Sequence, residues 1–267
     1  MVQQDVLETF KATQRVGWAF FAPLENLTTP TAANLVRFAG VRAGQTVLDV
    51  GCGTGVVAVT AARKGARVAG LDLTPELLER AHENSRIAGV EIAWREGDAE
   101  KLPFGDAAFD VVVSQFGHMF APRPEVALGE MLRVLKPGGT IAFSTWPPDH
   151  FMGQMFALFG RYLPAPPPGV TPPPLWGKEE NVRAWCGGAV KDLSFERGVM
   201  LFPALSPGHH RESTERTTAG GRKVVELLAS DRDRMAAFRT EYHELVAKYL
   251  EDNVVRQEYL MSRATKV

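Results

Sequence analysis

The chain has 267 residues, long enough for one α/β domain, and sets 30 Lys and Arg against 31 Asp and Glu for a formal charge of -1. So even a balance offers no electrostatic footprint for nucleic acid, and two cysteines, Cys52 and Cys186, argue against a disulfide scaffold and fit a reducing compartment. The first residues lack a basic segment followed by an apolar one, and no stretch approaches the roughly 18 apolar residues of a membrane span, so a cytoplasmic protein without stable membrane insertion is expected.

In chain order, residues 31–39 read as a helix ended by Gly40, and residues 46–50 as a first strand. A helix over 54–64, stopped by Gly65, leads to a second strand at 67–72. Thr74 caps the next helix, with Pro75 as its first residue and Leu77, Leu78 and Ala81 as its buried stripe. Gly89 closes it. A third strand follows at 91–95, and the unbroken Val111-Val112-Val113 within 109–114 reads as a central strand covered on both faces. A helix over 125–135 and a Pro137-Gly138-Gly139 turn lead to a fifth strand at 140–146. Alternation of this kind calls for a doubly wound, mostly parallel sheet.

Beyond Trp146 the pattern changes. Nine of the 18 prolines fall between Pro147 and Pro174, which reads as stiff, extended loop rather than helix. The segment leaves the carboxyl end of the fifth strand, where long insertions form lids. Phe151, Met152, Met155, Phe156, Phe159 and Tyr162 lie in it at roughly helical spacing, a stripe that suits a hydrophobic core or an acceptor pocket. Residues 193–203 and 254–264 read as a sixth and a seventh strand. Between them, 207–252 carries amphipathic spacing for the helices of a cap. The expected organisation is one domain over 1–267, with a core at about 31–146 plus the last two strands, and a cap or lid at about 147–180 and 207–252.

The chemistry concentrates at the turn after the first strand, Leu48-Asp49-Val50-Gly51-Cys52-Gly53-Thr54-Gly55. Glycines at 51, 53 and 55 allow a sharp turn and let backbone N–H groups approach a ligand. Asp72, about 20 residues beyond Gly51 and at the end of the second strand, stands where a carboxylate meets ribose hydroxyls. A dinucleotide site would place its third glycine at position 56, which is valine here. Asp49 would serve a pyrophosphate poorly and suits a ligand bearing an ammonium group. Cys52 reads as a small residue that the turn requires, not as a nucleophile.

These residues resemble the class I S-adenosylmethionine-dependent methyltransferases, most closely the small-molecule branch with the ubiquinone and menaquinone enzymes. The resemblance rests on four stretches in the right order: the glycine turn; Gly70-Leu71-Asp72-Leu73-Thr74-Pro75-Glu76-Leu77-Leu78; Gly97-Asp98-Ala99-Glu100-Lys101-Leu102-Pro103-Phe104; and Arg133-Val134-Leu135-Lys136-Pro137-Gly138-Gly139. It implies a Rossmann-like seven-stranded sheet whose last strand is antiparallel. It also implies that S-adenosylmethionine lies with its methionine part on the glycine turn (Asp49, Gly51, Cys52, Gly53, Thr54, Gly55) and leaves as S-adenosylhomocysteine. Its ribose would be held by Asp72, its adenine amino group by Asp98, and its adenine faces by Leu73 and Ala99. An N-terminal cluster of Trp18, Phe20 and Phe21 would cover it or simply pack.

Methyl transfer then asks the protein to align donor and acceptor, exclude water and, if needed, remove a proton. Gln115 and His118 follow the fourth strand and should reach this space, Gln115 as a cofactor or acceptor contact. His118 is the best general-base candidate, against a reading in which it packs, with His150 second. The stretch Ser114-Gln115-Phe116-Gly117 lacks the Asn-Pro-Pro-aromatic signature of nitrogen-base methylation and the metal-binding aspartate of catechol-type enzymes, so metal-independent transfer to the O, N or C of a small, apolar or aromatic acceptor is expected. Oligomeric state is left open. A non-catalytic S-adenosylmethionine-binding protein and an NAD-dependent oxidoreductase remain as alternatives.

Overall fold

The computed structural model describes residues 2–267, and among them ten α-helices and eight strands. The strands β1 (Thr46–Val50), β2 (Arg67–Asp72), β3 (Ile92–Glu96), β4 (Phe109–Gln115) and β5 (Leu135–Thr145) all run parallel. The last long strand, β8 (Val254–Lys266), is antiparallel to both β5 and β6 (Val190–Pro203). The sheet order is β3-β2-β1-β4-β5-β8-β6, a path of seven strands, and an eighth, the two-residue β7 (Leu250–Glu251), pairs with β8. Because β1 is flanked by β2 and β4, the order reverses there, and open α/β sheets bind ligands at the carboxyl ends of strands at such a switch point. The core strands bury Val47, Leu48, Val111, Val112, Val113, Ile141 and Ala142 almost completely, as the apolar runs require.

Three elements depart from the sequence reading. First, a helix α1 (Val2–Trp18) precedes α2 (Glu25–Phe38), which itself starts ahead of the expected 31–39 and carries Pro30 inside. The described buried face of α1 includes Leu7 and Lys11, so hydrophobic periodicity misses it. Second, the Pro137-Gly138-Gly139 turn lies inside β5, as an irregularity where the pairing jumps from Phe109↔Leu135 to Val111↔Thr140 and Gly138 takes φ of 74°. Third, the segment expected as loop contains α6 (Phe151–Tyr162), a 3-10 turn (Pro173–Gly177) and then α7 (Glu179–Cys186). The prolines flank α6 rather than interrupt it. The remaining helices are α3 (Val56–Ala62), α4 (Pro75–Ala88), α5 (Pro124–Val134), α8 (Pro207–Thr217), α9 (Ala219–Leu228) and α10 (Arg232–Ala247).

One face of α6 closes a second hydrophobic cluster, in which Phe151, Met155 and Leu158 pack with Val224, Leu228, Phe238, Tyr242 and Val246. Most of the Met and aromatic stripe is therefore cap core. The exceptions are Met152, which touches both clusters, and Phe156, which packs against the cluster around the sheet. The end of α1 is fastened to this cap: a Cβ on Gly17 would lie 2.6 Å from the Cβ of Ala219, and the Arg222 guanidinium sits 3.5 Å from the Phe20 ring centre.

His210 is sealed in the cap, 2 % exposed, with Nδ1 2.9 Å from the Tyr242 hydroxyl, which donates in turn to Thr214 at 2.8 Å. Burial, reinforced by the neighbouring His209, lowers its pKa to about 4. An unfolded chain binds that proton below about 6.5, so unfolding takes up a proton between the two values and stability falls as pH falls through this window. His210→Phe removes this contribution. Relative to the natural protein it should gain about 1 kcal/mol per pH unit from pH 6.5 down to 4, read from urea midpoints. A constant offset across that interval would show that the ring does not fold neutral.

Candidate active site

The glycine turn begins where β1 ends, and Gly51, Gly53 and Gly55 take φ of 65°, 54° and 81°. Their roles differ. A Cβ on Gly51 would lie 2.8 Å from Gly117 Cα, and one on Gly55 would lie 2.5 Å from the Trp94 ring, so these two glycines make room for protein. Nothing stands within 4 Å of a Cβ built on Gly53. The open face on which a ligand would rest is thus at Gly53. Cys52 between them is buried, and burial first, then the charges of Asp72 and Asp49, push its thiol well above the ordinary range, which suits a packing residue and not a nucleophile.

Two carboxylates hold the turn. Asp72, at the end of β2, accepts hydrogen bonds from Gly53 N at 2.7 Å and Thr74 N at 2.9 Å, tying the turn to the neighbouring strand. Burial raises its pKa against the pull of those N–H groups. Asp49, 1 % exposed, accepts from Ala58 N in α3 at 3.0 Å with one oxygen, while its Oδ1 is buried without a partner. Burial is the main cause that lifts its pKa to about 8, the Asp72 charge adding to it. Thr54 is buried and Leu73 half-buried beside them.

Across the site, Gln115 ends β4 level with the turn, since Asp49 pairs with Val113. Its amide nitrogen donates to Thr28 O at 3.0 Å, and its Oε1 is buried and unpartnered. The next residue, Phe116, adopts φ of 63°, a conformation that costs a non-glycine residue about 1 kcal/mol or more, and lies stacked on Trp146 at 4.0 Å.

Asp98 and Ala99, both half-buried, follow β3. Asp98 accepts from Glu100 N at 2.8 Å and pairs with Lys11 Nζ at 2.5 Å. Lys11 also meets Glu100 at 2.9 Å, and Glu100, fully enclosed, is held from the other side by Arg123 at 2.7 Å. Burial opposes the charge on Lys11, but the hydrogen bonds it donates to Asp98 and Glu100 outweigh it and raise its pKa. For Glu100, burial is likewise outweighed by Arg123 and Lys11, and its pKa is lowered. Lys11, Glu100, Arg123 and Trp94 are site neighbours that sequence reasoning misses. Only Glu100 stands in a motif, and the partners of the others are remote in sequence.

His118 departs from the base role. It is wholly buried, its ring lies 4.7 Å from Phe143 and 4.6 Å from Trp176, and burial lowers its pKa to about 3. A base that gains its proton only near pH 3 serves poorly at neutral pH, so the packing reading replaces the catalytic one. His150 is held on the sheet face by Arg197 at 2.7 Å and Glu258 at 3.2 Å. Beyond the turn, Trp18 meets Phe120 at 4.5 Å and Phe120 meets Phe156 at 6.0 Å, an aromatic line from α1 to α6. Among the described residues, no group of three or more His, Cys, Asp or Glu could hold a metal ion, and no helix is long and apolar enough to cross a membrane.

The arrangement fits a cofactor with a cationic amino-acid end. Asp49 Oδ1 and Gln115 Oε1 are buried polar atoms without a partner, at the carboxyl ends of adjacent strands, and an ammonium supplies donors to both once Asp49 is ionised. Residues 48–143 match the family model described as a methyltransferase domain. Over 95 % of this chain and 94 % of the other, the sequence is 36 % identical to an uncharacterized protein of Mycobacterium tuberculosis strain H37Rv. It is 39 % identical to the demethylmenaquinone methyltransferase of Thermus thermophilus over 46 % of this chain and 58 % of that one. The fold matches that of a putative methyltransferase from Bacillus halodurans with a TM-score of 0.60, 22 % identity, and coverage of 88 % of this chain and 98 % of that one. With the glycine turn, the two strand-end carboxylates and these similarities together, the chain belongs to the class I S-adenosylmethionine-dependent methyltransferases, and S-adenosylmethionine is its cofactor.

Proposed function

We propose that the chain moves a methyl group to an O, N or C nucleophile of a small, apolar or planar acceptor, without a metal, in the cytoplasm and without a nucleic-acid partner. The observation that carries the placement of the cofactor is the pair of buried, donorless oxygens, Asp49 Oδ1 and Gln115 Oε1. Bound there, the cofactor supplies a methyl group already activated on a sulfonium. The methionine end would rest on the open face of Gly53, its ammonium between Asp49 and Gln115, its ribose at Asp72 and its adenine beside Leu73, Asp98 and Ala99.

The chain's own contribution is orientation and exclusion of water. The aromatic line of Trp18, Phe120 and Phe156 from α1 to α6 supports an acceptor that buries an aromatic or aliphatic face. The quinone chemistry in the name of the Thermus thermophilus relative points the same way. With His118 sealed, proton removal falls to the acceptor's own acidity or to solvent.

Calorimetric titration with S-adenosylmethionine, S-adenosylhomocysteine and NAD, each alone, tests this reading, with binding of the first two expected. It carries a further signature. Asp49 is mostly protonated at pH 7 with a pKa of about 8, and an ammonium beside it favours the carboxylate, so binding should release up to one proton. Affinity should rise with pH from 6 to 8, and the heat should depend on the ionisation enthalpy of the buffer. Asp49→Asn should abolish that dependence. Proton-neutral binding by the natural protein would take the ammonium away from Asp49.

A further inference from the structure

Ser114, wholly buried on β4, has a hydroxyl with three neighbours: Val50 O at 2.5 Å, His118 N at 3.1 Å and His118 Nδ1 at 2.9 Å. A serine hydroxyl holds one proton, and a carbonyl can only accept. If that proton lies on the Val50 carbonyl, both contacts from His118 must donate, and the ring is the neutral tautomer with its proton on Nδ1. The other tautomer draws the serine proton to Nδ1. It takes that proton out of the 2.5 Å contact with Val50 O and leaves a buried Nε2–H unpaired, because Nε2 has no hydrogen-bond partner. Two oxygens 2.5 Å apart need a proton between them, and only the serine can supply it, so the first arrangement wins.

Val50 is the last residue of β1 and the peptide it shares with Gly51 opens the glycine turn. The carbonyl of a trans peptide and its N–H point in opposite directions, so fixing one fixes the other. The same stretch of chain buttresses the turn directly: a Cβ on Gly117 would lie 2.4 Å from Gly51 O. We propose that His118 is a positioning residue for the cofactor loop: its Nδ1–H turns the Ser114 hydroxyl onto the Val50 carbonyl and so sets the Val50–Gly51 peptide, from which the turn runs on to the open face at Gly53. Phe143 and Trp176 keep the ring in that plane. The role rests on the assignment of the glycine turn as the cofactor site.

Two measurements on the full chain test it. Nitrogen-15 NMR of the histidines in the natural protein should show two rings that stay neutral and Nδ1-protonated from pH 5 to 8, His118 and His210, and one of those two signals should vanish in His118→Phe. Calorimetry with S-adenosylhomocysteine should give about tenfold weaker binding for Ser114→Ala and His118→Phe, the loss expected of one hydrogen bond. His118→Asn, whose amide can donate from nearly the same place, should recover most of it. Phenylalanine fills the ring's volume, so its loss of affinity should come without a matching loss of thermal midpoint, which packing alone would not produce. An Nε2-protonated ring, or full affinity in His118→Phe, would overturn the proposal. If the variants fail to fold, the tautomer in the natural protein decides it. A natural protein that binds no S-adenosylhomocysteine would overturn the cofactor assignment and the positioning role with it, while an Nδ1-protonated ring would leave the tautomer standing.

Discussion

Replacing Asp72 by alanine should weaken S-adenosylhomocysteine binding by about 10- to 150-fold and lower the thermal midpoint as well. The first figure follows from the loss of a charged hydrogen-bond acceptor toward the ribose, about 1.5 to 3 kcal/mol. The second effect is visible only in the structure. The carboxylate accepts from Gly53 N and Thr74 N, so its removal strands two N–H groups and frees the turn from β2. Each stranded buried donor costs about 1 to 3 kcal/mol, which makes this one of the most damaging single changes available at the site. Asp72→Asn keeps one acceptor oxygen and should fall between. Calorimetry and thermal melting on both variants separate the roles: a lowered midpoint with unchanged affinity would confine Asp72 to holding the turn.

The other large effect is expected at Lys11. Its ammonium, only 8 % exposed along the side chain, neutralises Glu100 at 1 % and Asp98 at 25 %. Lys11→Met keeps the length and apolar stem of the side chain but leaves two carboxylates facing each other with Arg123 as the remaining cation. Breaking a buried pair from one side costs about 3 to 5 kcal/mol. The cost can be avoided locally if α1 lifts away and admits water, so the expected result is loss of hydrogen-exchange protection through α1 before the rest of the chain changes. The Arg15–Glu96 pair on the same helix provides the contrast. With side chains 41 % and 50 % exposed, it should contribute less than about 1 kcal/mol, so Arg15→Ala should leave α1 protected. Equal exchange in Lys11→Met and the natural protein would show that α1 is held by its apolar contacts alone.

The parallel core was legible because its signals are local. Val111-Val112-Val113, the cap at Thr74-Pro75 and the stop at Gly89 each announce an element within a few residues, and β1, β2 and the order of the motif acids follow from them. What was illegible depends on contacts distant in sequence. Lys11 pairs with Asp98, 87 residues away, and sits on the buried face of a helix whose pattern therefore looks polar. The three glycines of the turn look alike in sequence, yet Trp94 from β3 explains Gly55 and Gly117 explains Gly51, leaving Gly53 to face open space. For His118, the residue type pointed to catalysis, while its fate was decided by Trp176, a side chain beyond the prolines that no local pattern brings near.

Helix α1 is tied at its middle by Lys11 to Asp98 and Glu100, and at its C-terminal end by Gly17 against Ala219 of the cap. A helix tied in this way couples the loop after β3 to the cap. A ligand wedged beneath the cap would then be felt at Asp98 and Glu100 through this one helix, without touching either carboxylate.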